Sequence, residues 1–393
     1  MSDDGSAPKA HSVVPLATIA REWAKLGCIG FGGPPTHIVL LRRLCVEQRR
    51  WLEPEEFEDA IAATNLLPGP ASTQLAIFCA WKLRGVRGAI IGGLGFIVPG
   101  LLLIIALSAV FLAKHPPIGI LGAAAGAGAA VPAVALNASW GLVPASWKRI
   151  GVAAKQRWRW VTYAVVGGVC AALIGEYLVL ALIACGMVEI VIRRGDERGA
   201  KSLSRSILVG AVHTTAIGGF AALSWEALKV GALSYGGGFV IIPLMQHDVV
   251  LTYHWMSGPQ FLNAVALGQV TPGPVVQTVA VVGYAAAGIG GAFLAAALAF
   301  APSFAFVIAG GSKFNKIRSN ATVQSFFTGA GPAVVGAIAG SAIPLGLSLH
   351  QYWQIPVLAG ALLWLLLARR SVVGCLLAAG ALGAILALVG VRV

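Results

Sequence analysis

The 393-residue chain is 58% hydrophobic and only 11% charged, against about 25% charged residues in soluble domains. This excludes a soluble enzyme and describes an integral membrane protein, with the lipid bilayer as its first partner. A net charge of +13 would suit nucleic acid, but the basic residues sit in short loops between apolar runs, where they set orientation, so no nucleic-acid partner is expected.

In chain order, the first dozen residues are polar, lack the apolar core of a cleavable signal peptide and read as a disordered cytosolic tail (1–12). Runs long enough to cross a bilayer then fall at about 19–41, 58–82, 87–113, 117–142, 160–175 and 177–192, which make up an N-terminal repeat over 13–192. A basic loop and a linking helix at 207–223 occupy 193–224. Further runs at 225–246, 261–285, 288–311, 322–346, 353–368 and 371–391 make up a second repeat over 225–393. The expectation is an all-α membrane protein of about thirteen transmembrane helices, with discontinuous helices at its Pro-Gly-Pro motifs.

Loop charge gives the orientation. In the first repeat, Lys82, Arg84 and Arg87, then Lys148, Arg149, Lys155, Arg157 and Arg159, then Arg193, Arg194, Arg198, Lys201 and Arg205 mark three cytoplasmic loops. In the second repeat the equivalent loops carry no Lys or Arg, and the charge appears in the other set, as Lys313, Lys316 and Arg318, then Arg369 and Arg370. The two repeats therefore read as inverted, with the linking helix supplying the odd crossing and the N-terminus inside. Arg42, Arg43, Arg49 and Arg50 conflict with this scheme, which puts them outside. Neighbouring acidic residues offset them, and a re-entrant first segment would remove the conflict.

The repeat itself is explicit. Gly32 and Gly236, Trp51 and Trp255, and Pro68 and Pro272 are each 204 residues apart, as are Glu22 and Glu226, and Lys25 and Lys229. One residue is lost after the Pro-Gly-Pro motif, so that Gln74 matches Gln277 and Pro99 matches Pro302. Pro-Gly-Pro inside an apolar run breaks a helix, and broken backbone survives in lipid only where protein or water covers it. The residues after each break, Ser72, Thr73 and Gln74 in one copy and Gln277 and Thr278 in the other, start new half-helices. Their free N–H groups and partial positive charge suit an anion, whereas the carbonyl ends of the preceding halves suit cations or protons. Gln269 and Thr271 lie in the second motif itself. A second glycine-rich break holds Gly32, Gly33 and Pro34, echoed by Gly236 and Gly237.

Charged candidates for gating or coupling are Glu22 with Lys25 and Glu226 with Lys229, which sit three apart on a helix face and also suit a plain surface ion pair. His37 and Arg42 lie just beyond the first break and are candidates to neutralise an anion. The six cysteines form no CxxC pair, and no Walker or HExxH motif is present, so no metal, no other cofactor and no enzymatic activity are expected.

Gly30-Phe31-Gly32-Gly33-Pro34, Glu47-x-x-x-Trp51 and Asn65-Leu66-Leu67-Pro68-Gly69-Pro70 together resemble the chromate ion transporter family, and Thr271-Pro272-Gly273-Pro274 resembles its C-terminal copy. The resemblance covers nearly the whole chain. It implies a bacterial inner-membrane secondary transporter that exports chromate, confers chromate resistance and takes sulfate as a structural analogue. The family's motif residues fall on Gly32, Gly33, Pro34, Asn65, Pro68, Gly69 and Pro70, and on Gly236, Gly237, Pro272, Gly273 and Pro274. The second copy departs at Gly238, in place of Pro34, and at Gln269, in place of Asn65. A passive anion channel, a sulfate transporter and a membrane-bound reductase are the alternatives, and a homodimer stays open as an assembly.

Overall fold

The computed structural model describes residues 14–64, 69–150, 153–175, 177–197, 219–234, 239–310 and 320–392. Among the described residues there are helices and connections and no strand. The first copy holds α1 (Leu16–Ile29), α2 (Pro34–Arg42), α3 (Pro54–Thr64), α4 (Ala71–Phe111), α5 (Ile118–Lys148), α6 (Ala154–Val169) and α7 (Leu178–Glu197). The second holds α8 (Phe220–Leu233), α9 (Ile241–His247), α10 (Gly258–Val270), α11 (Thr278–Gly310, entered through a tight turn at Val275–Gln277), α12 (Ala321–Leu347), α13 (Gln354–Leu362) and α14 (Val372–Leu388).

α2, α6, α9 and α13 each end in one wide π-helical turn, followed by a left-handed residue at Arg50, Gly175, His254 or Arg369. The wide turns close on Arg49 N–H to Leu44 O, Gly175 N–H to Cys170 O, Tyr253 N–H to Asp248 O and Ala368 N–H to Leu363 O. These bonds use carbonyls that a helix end would leave unpaired, and the left-handed residue then turns the chain away.

Several helices that look continuous in the sequence fold back on themselves. In α4, Gly93 lies against Ile77, and Gly92 against Ala80, yet sixteen residues of straight helix span about 24 Å. The reversal is at Arg84 and Gly85, where Gly85 has φ +57°. The same reversal occurs in α11 at Ala287 and Gly288, with Gly283 beside Gly291. Glu22 of α1 bonds Arg49 just past α2, at 2.5 Å, and Trp23 stacks on Trp51 with ring centroids 6.2 Å apart. Twenty-seven residues of continuous helix would hold Glu22 and Arg49 about 40 Å apart. Glu56 of α3 reaches Lys82 near the reversal of α4, at 3.3 Å. In the second copy Lys229 of α8 meets Asp248 at the end of α9.

The segments at 19–41, 58–82, 225–246 and 261–285 are therefore not single spans. In the first three the far ends of two short helices meet, at Glu22–Arg49, Glu56–Lys82 and Lys229–Asp248, and the fourth is broken between α10 and α11 at 271–277; residues 235–238 lie outside the described residues. α1, at 14 residues, is about 21 Å long, well short of a hydrocarbon core of about 30 Å. This corrects the thirteen-span expectation. The long limbs of α4 and α11, with α5, α6, α7, α12, α13 and α14, match the remaining expected runs. Of the linking helix, residues 207–218 lie outside the described residues, and 220–223 belong to α8.

The copies interlock. α5 of the first copy packs on α13 and α14 of the second, while α12 of the second packs on α6 and α7 of the first. α4 and α11 meet each other, and so do α5 and α12. Small residues permit the close approach: a Cβ on Gly126 would strike the Ala379 carbonyl, and one on Gly336 the Ala164 carbonyl. Glu189, buried on α7, is held by Arg193 at 2.8 Å, Arg159 at 3.3 Å and the Tyr163 hydroxyl at 3.1 Å.

Candidate functional site

Breaks from the two copies come into direct contact. α1 ends at Gly30, and α2 starts at Pro34 after Gly32 and Gly33, whose φ values of +98° and +76° favour glycine. Proline at the first helical position needs no N–H and pre-sets φ, which explains why α2 begins there. In the second copy, α10 ends at Thr271, and Gly273 has φ +96° before Pro274. The Gly273 N–H donates to the Gly30 carbonyl at 2.9 Å, joining a break of one copy to a break of the other.

His37 closes this junction. It is 1% exposed, with the edge of its ring against Phe96 at 5.0 Å between centroids. Nε2 lies 2.9 Å from the Gly30 carbonyl and Nδ1 lies 3.1 Å from Ser72 Oγ. A carbonyl only accepts, so Nε2 carries the proton, and in the neutral ring Nδ1 accepts from the Ser72 hydroxyl. One imidazole thus ties the first break to the start of α4, and the Gly30 carbonyl carries the tie on to the second copy.

The reciprocal contact involves Gly69, with φ +118°. A Cβ there would stand 3.2 Å from Ser303 Oγ and 3.4 Å from the Gly231 carbonyl, both in the second copy, and 2.5 Å from Gln74 Nε2. A Cβ on Gly273 would stand 3.2 Å from Gln277 Nε2. Each Pro-Gly-Pro glycine therefore faces the amide of the glutamine that follows it. Gln277 donates from Nε2 to the Ile97 carbonyl at 2.7 Å, and a Cβ on Gly100 would meet Gln277 Oε1 at 2.6 Å.

The polar atoms differ in what they have left to offer. Thr271 and Thr278 give their hydroxyl protons to carbonyls of their own turns, Leu267 at 2.7 Å and Val275 at 2.9 Å, so they are poor donors to a ligand. Thr73 Oγ1, Gln269 Nε2, Gln277 Oε1, Ser234 Oγ and Ser303 Oγ are buried and have no hydrogen-bond partner among the described residues. Buried polar atoms without partners are rare in folded proteins, and five of them beside these breaks provide uncommitted capacity for a polar ligand. The N–H groups of Thr73 and Gln74 at the start of α4, and of Gln277 ahead of α11, already bond the carbonyls of Pro70 and Pro274. The free donors here are therefore the Thr73 and Ser303 hydroxyls and the Gln269 amide nitrogen, while Gln277 Oε1 can only accept. The junction contains no Asp or Glu among the residues named here.

Asn65, Pro68, Gly236 and Gly237 lie outside the described residues. Arg42 is not brought to the junction: it pairs with Glu58 and, at 3.9 Å, with Glu47. Glu22 and Lys25, with Arg49, close the open end of the α1–α2 pair. Glu226 and Lys229, 2.6 Å apart, do the same for α8–α9. Ser303 and Phe96 belong to the junction and were not singled out from the sequence. A signal for Ser303 was present, since Ser303 and Gly100 are equivalent positions, each one residue after the matched prolines Pro302 and Pro99. Among the described residues no group of His, Cys, Asp and Glu could hold a metal ion. A cavity of about 390 Å³ between α13 and α14 is lined by Trp353, Pro356, Gly360, Trp364 and Leu386. It is apolar and offers nothing to an anion.

A duplicated, apolar chain that is helical throughout its described residues is a multi-pass membrane protein. It belongs to the chromate transporter family, whose profile, described as "Chromate transporter", matches residues 17–190 and 221–391. The chain is similar to the "Chromate transport protein" of Cupriavidus metallidurans, 30% identical over 84% of this chain and 82% of the relative. It is 31% identical to the "Chromate transport protein" of Pseudomonas aeruginosa, over 82% and 79%. An "Uncharacterized transporter" of Methanocaldococcus jannaschii is 26% identical over 86% of each chain. No solved structure matches it significantly.

Proposed function

We propose that this protein is a secondary transporter that carries chromate, a tetrahedral dianion resembling sulfate, out of the cell across the bacterial inner membrane and so confers chromate resistance. The substrate class rests on the family and on relatives that bear the name of chromate transport proteins. The observation that carries the site is the Gly273 N–H bond to Gly30, with uncommitted buried polar atoms from both copies around it. An oxyanion there would lie at the positive N-terminal ends of α4 and α11 and take hydrogen bonds from the Thr73 and Ser303 hydroxyls and the Gln269 amide N–H, with the second N–H of Gln277 Nε2 beside it. Ser72 and Gln74 border it.

The transport mechanism is alternating access between inverted copies, with the N-terminus cytoplasmic. Four helix pairs that enter and return, together with long limbs that cross, fit the loop charges better than thirteen single spans do. With α1–α2 returning to its own side, Arg42, Arg43, Arg49 and Arg50 join the cytoplasmic set, which removes the one conflict with the positive-inside rule. A linking span at 207–223, read from the sequence, would account for a second copy in the opposite orientation. The interlocking of α5 with α14 and of α12 with α7 gives the two copies a shared frame about which the breaks open to one side or the other.

Gly69→Val and Gly273→Val test the site. Each adds a branched side chain at a positive φ and against a polar neighbour within the junction. The expected outcome is loss of chromate resistance in a sensitive strain while the protein stays at wild-type levels in the membrane fraction. Wild-type resistance in both variants would place the site elsewhere. In vesicles, sulfate and molybdate should compete with chromate, since they share its shape and charge.

A further inference from the structure

The open ends of α1–α2 and α8–α9 are closed by ion clusters at equivalent positions but of opposite sign. Glu22 and Glu226 are 204 residues apart, as are Lys25 and Lys229. In the first copy Glu22 is shared by Lys25 at 3.5 Å and Arg49 at 2.5 Å, which leaves one net positive charge. In the second copy Tyr253 stands where Arg49 does, and Asp248 stands where Leu44 does. Lys229 is shared by Glu226 at 2.6 Å and by Asp248, which leaves one net negative charge.

The second cluster is the more deeply buried. Glu226 is 0% exposed, whereas Arg49 of the first cluster is 48% exposed at its side chain. Neither Glu226 oxygen accepts a hydrogen bond of ordinary geometry among the described residues, although one is in ion-pair reach of Lys229, and the carboxylate lies against that of Asp248. The groups facing the pair are Lys229 from α8 itself, with Asp248 and His247 from α9. His247 Nδ1 is 3.3 Å from Asp248 Oδ1, and the Thr252 hydroxyl touches the same oxygen. α11, the long helix packed against α8, carries no charged residue. An uncompensated carboxylate away from water is costly, and a proton on it removes the charge with no other change. The first cluster has no such option, because its surplus charge is positive and an added proton would only increase it.

We propose that Glu226, Lys229 and Asp248 form a proton-binding site whose occupancy drives anion export, one proton adding to the Glu226 carboxylate where it meets Asp248. The proposal rests on the transport reading above. In that reading the second copy's open end faces outward, the side from which a respiring bacterium draws protons. α8 links the cluster to the substrate junction, because Gly231, five residues past Glu226, presents its carbonyl to Gly69. Loss or gain of the proton changes the balance that holds α9 to α8, and with it the packing of α8 against that junction.

The test uses full-length protein in liposomes, with chromate as the probe and protein-free liposomes for leak. Two measurements are made: chromate accumulation driven by a pH gradient, and chromate–chromate exchange with no gradient. Asp248→Asn and Glu226→Gln should each lose gradient-driven accumulation while keeping exchange, and Glu22→Gln, at the equivalent place in the first copy, should keep both. Asp248→Asn leaves a neutral Glu226–Lys229 pair, so it remains informative if Glu226→Gln misfolds. Accumulation at the wild-type level in both variants would overturn the proposal, as would loss of exchange in variants that melt like wild type. A wild type that exchanges chromate but ignores the pH gradient overturns the coupling alone. A wild type that does neither overturns the transport reading with it.

Discussion

His37 concentrates the differences between the copies at one residue. Its equivalent, 204 positions on, is Ile241, also fully buried, so an aliphatic side chain fits this place in the fold. The imidazole is therefore present for its two hydrogen bonds rather than its bulk. His37→Leu removes the bond to Gly30 and leaves the Ser72 hydroxyl without its acceptor, both in a dry site. We expect a loss of about 2 kcal/mol of stability, read as a lower melting temperature in detergent, and a matching loss of chromate transport. His37→Gln, which can still donate to Gly30, should lose less of both. The sequence marked His37 by its place three residues beyond a Gly-Pro break. It could not name Ser72 as a partner, because the two residues are 35 apart and meet only when α2 and α4 fold back to the same junction. The threonines show the reverse error. Thr271 in the second motif and Thr278 after it looked available as hydroxyls, but a threonine in the last or first turn of a helix readily bonds the carbonyl three or four residues back.

The helix pairs show why an element's existence can be legible while its path is not. Hydropathy reports how much apolar chain lies between two polar points, and a helix that crosses and a pair that returns give the same run. The Gly/Pro breaks were visible, and so was the arginine cluster at 42–50 on the apparent wrong side. That cluster was the physical signal for reversal, because four arginines beyond a single crossing violate the charge rule, and four beyond a return do not. The path makes a direct prediction. In a background lacking native cysteines, Glu47→Cys should react with a membrane-impermeant thiol reagent only in inside-out vesicles, on the same side as the N-terminus. His254→Cys, in the equivalent turn after α9 and the counterpart of Arg50, should react only from the outside of intact cells. Modification of Glu47→Cys in intact cells would restore a crossing first segment.

For the whole molecule, the 204-residue period was legible, but the exchange of partners between copies was not. The surfaces that make that choice, Gly122 and Gly126 on α5 with Gly383 and Ala387 on α14, or Gly336 on α12 with Ala164 on α6, are alike in composition. Small-residue helix faces state that something packs closely without saying what. The consequence is mechanical. Each copy leaves its own α5 or α12 bare of the partners it needs, so a half molecule exposes backbone-close grooves that only the other half fills. Lipid chains cannot follow those grooves as a helix does, so packing contacts there would be lost outright. A chain cut between the copies, in the region of residues 198–218, should therefore behave as two obligate fragments. Expressed singly, each half should be degraded and confer no chromate resistance. Expressed together, the halves should co-purify and restore it, because every long-range contact described here is between segments on either side of the cut or within one side. Resistance from the first half alone would show that one copy carries a complete site, which the cross-copy bond from Gly273 to Gly30 argues against.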